Sequence, residues 1–327
     1  MSENLNTTMN GTQPSSCPSN PTAETIGKTV AYCLIFLVSL AGNTVIGIIV
    51  YKKKTMRKPI NFLIVNMAMS DMTYPIFLIP HQIQKLYIDS WLIGGPLGQA
   101  LCKLVYSLSD VSYIVSIQSL VLIAVDRFGA VVYPLRYPLI SSKLCPFLIL
   151  ATWIVAFASQ SPYPVAMQLL ESPEGLSCAL HWKEAFGESS FQENYFVAIT
   201  AVFVFIPLVL IATLYISIYI KLKSQKIPGE QSANAGQQRQ QRERNVLKLA
   251  LAIVLGFAVS LVPAAIGLLL LFFGPDIVIS SCGFRYFMIV TFFMGNANCA
   301  INPCICFIFG RNYREGLKTL LGSMNDI

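Results

Sequence analysis

Seven apolar runs of about 20 residues or more dominate this chain. They lie near 29–51, 60–84, 99–126, 145–168, 194–221, 246–273 and 284–309. A helix rises 1.5 Å per residue, so about 20 apolar residues cross the ~30 Å hydrocarbon core of a bilayer. Lipid offers the backbone no hydrogen bonds, so such runs must pair their own amides and fold as helices. Only 12% of the 327 residues are charged and 54% are apolar, which excludes disorder and an ordinary soluble domain. The expected fold is an all-α membrane protein, a seven-transmembrane helix bundle over 26–309, with no domain boundary and no internal repeat.

Charge sets the expected orientation. Lys28, Lys85, Lys103, Lys183 and Arg285 fall on one side, and the other eighteen of the 23 basic residues fall on or near the opposite side. The crowded side includes Lys52, Lys53, Lys54, Arg57 and Lys58 in the first loop, and Lys221, Lys223, Lys226, Arg239, Arg242 and Arg244 around the third. Cytoplasmic loops carry such an excess, so the N-terminus is expected outside and the C-terminus inside. The net charge of +7 reflects this topology rather than nucleic-acid binding.

Residues 1–25 are rich in Ser, Thr, Asn and Pro, lack a signal-peptide pattern and read as a disordered extracellular tail. Asn6 and Asn10 head glycosylation sequons, whereas Asn20 is followed by Pro21 and does not. Segment 224–241, rich in Gln, Ser and Gly, reads as a flexible inner loop. In 310–327, Arg311, Arg314 and Lys318 alternate with Leu317, Leu320 and Leu321, the pattern of a short amphipathic helix on membrane lipid, followed by a short tail.

Polar residues inside spans are expensive and default to functional hypotheses. Asp71 sits midway along the second span. Asn43, Ser116, Asn296, Asn298 and Asn302 lie in the first, third and seventh. One carboxylate with amides and a hydroxyl has the oxygen chemistry of a small hard cation, sodium among them. The alternative is a network of hydrogen bonds that bridges helices with no ion. Asn302 is followed by Pro303, which removes a backbone donor and leaves a carbonyl needing a partner. At the end of the third span, Asp126 and Arg127 are either interfacial neighbours or half of a latch, with Arg127 paired to Glu243 on the sixth.

The order of these marks resembles the rhodopsin-family (class A) G-protein-coupled receptors over 29–321. The matching residues are Gly42-Asn43, Asn66 with Asp71, Trp91 and Gly94, Cys102, Asp126-Arg127-Phe128, Trp153, Pro207 and Tyr215, Phe257 and Pro263, and Asn298 with Asn302-Pro303. The resemblance implies a plasma-membrane receptor that binds an extracellular ligand and activates heterotrimeric G proteins through Asp126 and Arg127. It implies a sodium site at Asp71, Ser116, Asn298 and Asn302; no other metal or cofactor is expected, since the chain holds only His81 and His181, with no ligand spacing. It also implies a disulfide between Cys102 and Cys178. A second bond between Cys17 and Cys282 is left open, because spacing does not fix connectivity. The remaining cysteines, Cys33, Cys145, Cys299, Cys304 and Cys306, read as apolar filler.

Two departures stand out. Leu261 occupies the position of the family's tryptophan in the sixth span, and Cys306 that of its tyrosine in the seventh. Ser109 holds the position where amine receptors carry an aspartate, with Asp110 next to it; both are candidates for the ligand pocket. No Lys lies in 284–309, so retinal linkage is not expected. The loop Glu171–Glu193 carries five glutamates against Lys183; its usual explanation is a solvated loop, and a cationic ligand is the sharper alternative. A peptide ligand is the expectation. The alternative is a non-receptor seven-span transporter or channel, which would favour repeats and several intramembrane charges. An enzyme is not expected, since no Ser–His, paired-Asp or His-Glu-x-x-His constellation is present.

Overall fold

The computed structural model describes residues 21–88, 90–134, 138–173, 175–187, 191–224 and 233–325. Asn6, Asn10 and Cys17 lie outside them, as do Glu174 and Glu188 of the acidic loop. Among the described residues, seven helices are long and apolar enough to cross a membrane. They are α1 (Pro21–Lys52), α2 (Pro59–Lys85), α3 (Gly95–Val132), α4 (Cys145–Ala166), α5 (Gln192–Lys223), α6 (Ala233–Phe273) and α7 (Cys282–Phe309). The amphipathic α8 (Arg311–Asn325) follows.

The spans are apolar on both faces, as lipid demands. Leu37, Phe147, Ile154, Val209, Ile216 and Val259 point away from the bundle, while Leu63, Leu120, Ile123, Ile211 and Phe257 fill its interior. Polar groups go inward instead. Asn43, Asn66, Ser70, Asp71, Ser116, Asn298 and Asn302 are all buried. Asn66 shows why this is stable. Its amide donates to Ser119 Oγ (2.9 Å) and Thr152 Oγ1 (3.2 Å), and Trp153 Nε1 donates to its carbonyl (2.8 Å). One side chain thus joins α2, α3 and α4 with its donors and acceptor satisfied.

Between α4 and α5, β1 (Met167–Ser172) pairs antiparallel with β2 (Gly175–Leu180). The turn closes at Gly175, whose φ of +124° favours glycine. Trp91 N donates to Leu176 O (2.7 Å) and ties the hairpin to the α2–α3 connection. Cys102 at the start of α3 is disulfide-bonded to Cys178 on β2. Cys282 is also disulfide-bonded, whereas Cys33, Cys145, Cys299, Cys304 and Cys306 are free. At the opposite end, α8 turns back against α1. Tyr313 is buried and donates to Asn61 Oδ1 (3.2 Å), and burial raises its phenol pKa well above the usual value. Arg311 pairs with Glu315 (2.7 Å) on the exposed side.

Three expectations need correction. The first helix starts at Pro21, inside the stretch read as a disordered tail to residue 25. Proline suits the first helical turn, and the Lys28–Glu24 pair (2.5 Å) supports it. The sixth helix begins at Ala233, well inside the loop expected over 224–241. Its Ala, Gln, Arg and Glu residues are strong helix formers, so polarity alone misreads the segment. The third is a refinement of the segment expected as a loop from Glu171, which begins within the β1–β2 hairpin.

The helix packing also meets the demand that Pro303 creates. The carbonyl it strands is that of Cys299, four residues earlier. Asn43 Nδ2 donates to Cys299 O (3.0 Å), and Ser39 Oγ lies within reach of both Cys299 O (3.2 Å) and Asp71 O (3.3 Å). Asp71 O is likewise stranded by Pro75. These donors reach because α1 lies against α7 at Gly42, where an added Cβ would meet Pro303 Cβ at 2.6 Å. Gly42→Val is therefore expected to destabilise the purified protein by overpacking, by about 1–3 kcal/mol. Gly47, with nothing within 4 Å, is the control. Equal thermal unfolding of Gly42→Val and Gly47→Val would disprove the contact's importance.

Candidate functional site

The bundle carries three candidate sites stacked along its axis. The first is a cavity of about 570 Å³ at the hairpin end. The α3 stripe Tyr106, Ser109, Asp110, Tyr113, Ile114 and Ile117 lines it at helical spacing. Cys178, Ala179 and Leu180 of β2 form part of its wall, so the disulfide fixes the cavity's rim. Both sequence candidates face it, but differently. Ser109 Oγ donates to Val105 O (2.6 Å) in its own helix, whereas no hydrogen bond or ion pair engages Asp110 among the described residues. Leu261 and Phe257 line the cavity from α6. Of the acidic loop, Glu184 is exposed beside His181 (3.5 Å), and its backbone amide and that histidine hold its pKa below the usual range.

The second site lies at mid-depth. Ser116 Oγ donates to Asp71 Oδ1 (2.7 Å) and Asn302 Nδ2 to Asp71 Oδ2 (2.8 Å), so α2, α3 and α7 meet at one carboxylate. Asn298 is buried one turn before Asn302, yet no hydrogen bond joins it to Asp71 among the described residues. Three buried amide oxygens here, Asn43 Oδ1, Asn298 Oδ1 and Asn302 Oδ1, have no hydrogen-bond partner among the described residues. Buried acceptors are rarely left unpaired. A carboxylate among orphaned oxygens matches the donor set that a hard cation takes. The residues present therefore fit sodium. Asn43 itself is committed to α7 through its amide nitrogen, and Asn296 to a different cluster.

That cluster borders the cavity, and apart from Asn296 its residues were missed from the sequence. Tyr74 donates to Asn296 Oδ1, and Asn296 Nδ2 donates to Tyr32 Oη (3.0 Å). Tyr113 donates to Gly295 O (3.2 Å) and packs on Tyr74 with ring centroids 5.4 Å apart. Tyr74, Tyr113 and Asn296 line the cavity floor. Ser70 and Ser112 also escaped notice, the latter donating to Ser70 O (2.7 Å). The available signal was the run Ser109, Ser112, Ser116 and Ser119, whose spacing of three and four puts them along one side of α3.

The third site is at the α8 end. Asp126 is buried, and the Arg127 guanidinium pairs with its carboxylate through Nη2 and Nε (3.2 Å). Glu243 lies on α6, but its side chain is outside the described residues, and so is the latch expected between it and Arg127. Cys306 is fully buried in the core cluster that includes Tyr313 and Phe257. The tyrosine it replaces in the family is thus exchanged for a small packed thiol.

Comparison with known proteins agrees with this geometry. Residues 42–305 match the model of the family described as 7 transmembrane receptor (rhodopsin family). The RYamide receptor of Drosophila melanogaster is 28% identical over 303 residues, covering 91% of this chain and 64% of that protein. Neuropeptide FF receptor 1 of Rattus norvegicus is 29% identical over 308 residues, with 88% and 68% covered. The QRFP-like peptide receptor of Branchiostoma floridae is 30% identical over 251 residues, with 75% and 64% covered. The chain therefore spans about two thirds of the length of these relatives. Seven spans in the same order, the polar cluster at Asp71 and the matched segment lead to one conclusion: the chain belongs to the rhodopsin family of seven-transmembrane receptors.

Proposed function

We propose that the chain is a plasma-membrane receptor that binds an extracellular peptide at the hairpin end and activates heterotrimeric G proteins at the α8 end. The observation that carries this reading is the 570 Å³ cavity under the tethered hairpin, whose size falls in the usual range for ligand sites, about 300–1,000 Å³. Three relatives named as peptide receptors support the ligand class. Family membership stands against the transporter or channel alternative, and the family is one of receptors rather than enzymes. The basic residues Lys52, Lys53, Lys54, Lys221 and Lys223 gather at the α8 end, which supports a cytoplasmic α8 and an extracellular N-terminus.

The test is G-protein activation in cells challenged with a peptide panel that includes RYamide, neuropeptide FF and QRFP peptides. Activation at matched surface expression supports the reading. Solute flux through the purified protein with no G-protein activation would overturn it. Asn6 and Asn10 give the topology check: glycosidase should shift the mobility of surface receptor, and no shift would count against an extracellular tail.

Sodium at Asp71, Ser116, Asn298 and Asn302 belongs to the same proposal: the ion would supply a positive charge that joins α2, α3 and α7. So does the latch. Arg127 serves the G protein in the active state and pairs with Glu243 at rest, in competition with Asp126. A partly wet ion pair contributes about 0–1 kcal/mol, enough for a several-fold change in resting activity. Glu243→Ala is expected to raise basal G-protein activation, and Arg127→Ala to abolish coupling. Unchanged basal signalling in Glu243→Ala at matched surface expression ends the latch idea.

A further inference from the structure

Three aspartates lie within α2 and α3, and the protein supplies side-chain partners to two of them. Asp71 accepts from Ser116 and Asn302, and Asp126 is paired with Arg127. Asp110 has no such partner among the described residues, although it lines the cavity. Three tyrosines that line the cavity are committed elsewhere. Tyr195 donates to Ser159 O, Tyr113 to Gly295 O (3.2 Å), and Tyr106 is paired with His81 Nε2 (2.9 Å). Lys85 is a basic residue on the same cavity wall, and it forms no ion pair among the described residues.

A carboxylate facing an aromatic and aliphatic cavity with no donor is costly to keep. Ionisable groups in such places mark the site of an opposite charge. Tyr163 and Tyr195 line the same cavity with ring centroids 5.8 Å apart. Aromatic faces attract a guanidinium or ammonium that has left water. We propose that Asp110 anchors a cationic group of the ligand inside this cavity. The inference rests on the reading of the cavity as the ligand site and goes further, to the chemistry that enters it. The shared chemistry is a desolvated cation. Its source is either a basic side chain of a peptide or a small aromatic amine.

The test uses purified full chain and three probes at about 10 mM. Acetyl-argininamide carries only the guanidinium, acetyl-citrullinamide is its neutral analogue of similar shape, and tyramine represents the small amines. A ligand that binds only the folded state raises the melting temperature, here by about 2 °C or more for a probe at ten times its Kd. Acetyl-argininamide is expected to give that shift and acetyl-citrullinamide none. Asp110→Asn should remove the shift, and Asp110→Glu, which keeps the charge, should retain part of it. A shift from tyramine alone, lost in Asp110→Asn, keeps the anchor and moves the source to an amine, which contradicts the peptide reading instead. Equal shifts from the charged and neutral probes, persistence in Asp110→Asn, or no shift from any cationic probe overturns the anchor. The G-protein assay then still decides the peptide reading by itself.

Discussion

Cells expressing Cys102→Ser are expected to lose most receptor from their surface. The bond to Cys178 closes a loop with a sequence separation of 76 residues. On the chain-entropy account a loop of that size is worth about 4–5 kcal/mol, and native disulfides measured by removal give roughly 2–5 kcal/mol. A domain with a net stability of about 5–15 kcal/mol is exposed to quality control by a loss of that size. The bond also holds β2 over the cavity, since Cys178, Ala179 and Leu180 form part of the wall. Cys178→Ser should match Cys102→Ser, and the double variant should be little worse than either, because the two residues act as one unit. Surface antibody binding relative to total receptor measures this. Wild-type surface levels in either single variant would refute it.

The spans were legible because a membrane leaves a coarse code. Long, weakly charged runs admit one structure, so the seven helices appear where the apolar runs lie. Their ends are not coded that way. Pro21 starts α1 by helix-terminus chemistry, and Ala233 starts α6 by propensity, both in polar surroundings where hydropathy carries no signal. The hairpin Met167–Leu180 escaped notice because six-residue strands around Pro173 look like loop. Asp71 and Asn302 were legible as a pair, since an acid and an amide buried in lipid need partners. The role of Asn43 was not. Its bond to Cys299 O depends on how closely α1 approaches α7, which Gly42 sets and no spacing reveals.

Leu261 and Cys306 show where a family pattern stops being informative. Leu261 lines the cavity without a polar atom, so it offers no hydrogen bond to pass a ligand's effect inward. Tyr74, Tyr113 and Asn296 sit on the same cavity floor and connect α1, α2, α3 and α7 by hydrogen bonds. Asn296 lies two residues from Asn298 and six from Asn302 on α7. The same helix thus carries a residue of the cavity floor and a residue of the mid-depth carboxylate site.

The Asp71→Asn variant is expected to lose all sensitivity to sodium. Asp71, Ser116 and Asn302 come from three helices, and the orphaned oxygens of Asn298 and Asn302 supply the further acceptors a cation requires. A cation held there favours the packing in which α2, α3 and α7 converge. An agonist that favours another packing then binds more weakly in sodium, because a bound species shifts an equilibrium only through its differential affinity. Coupling of this kind typically amounts to about 1–3 kcal/mol, or 5–150-fold in affinity. The substitution removes the charge but keeps the shape: the new carbonyl oxygen can accept from Asn302 Nδ2 while the new NH2 donates to Ser116 Oγ. Two measurements check this. Agonist affinity should fall when N-methylglucamine chloride is replaced by sodium chloride at constant ionic strength, which leaves screening of exposed charges unchanged. Purified receptor without agonist should melt at a higher temperature in sodium, and Asp71→Asn should show neither effect. An unmutated receptor indifferent to the exchange by both readouts, or an Asp71→Asn receptor that still responds, would show that the oxygens at mid-depth serve only to join the helices.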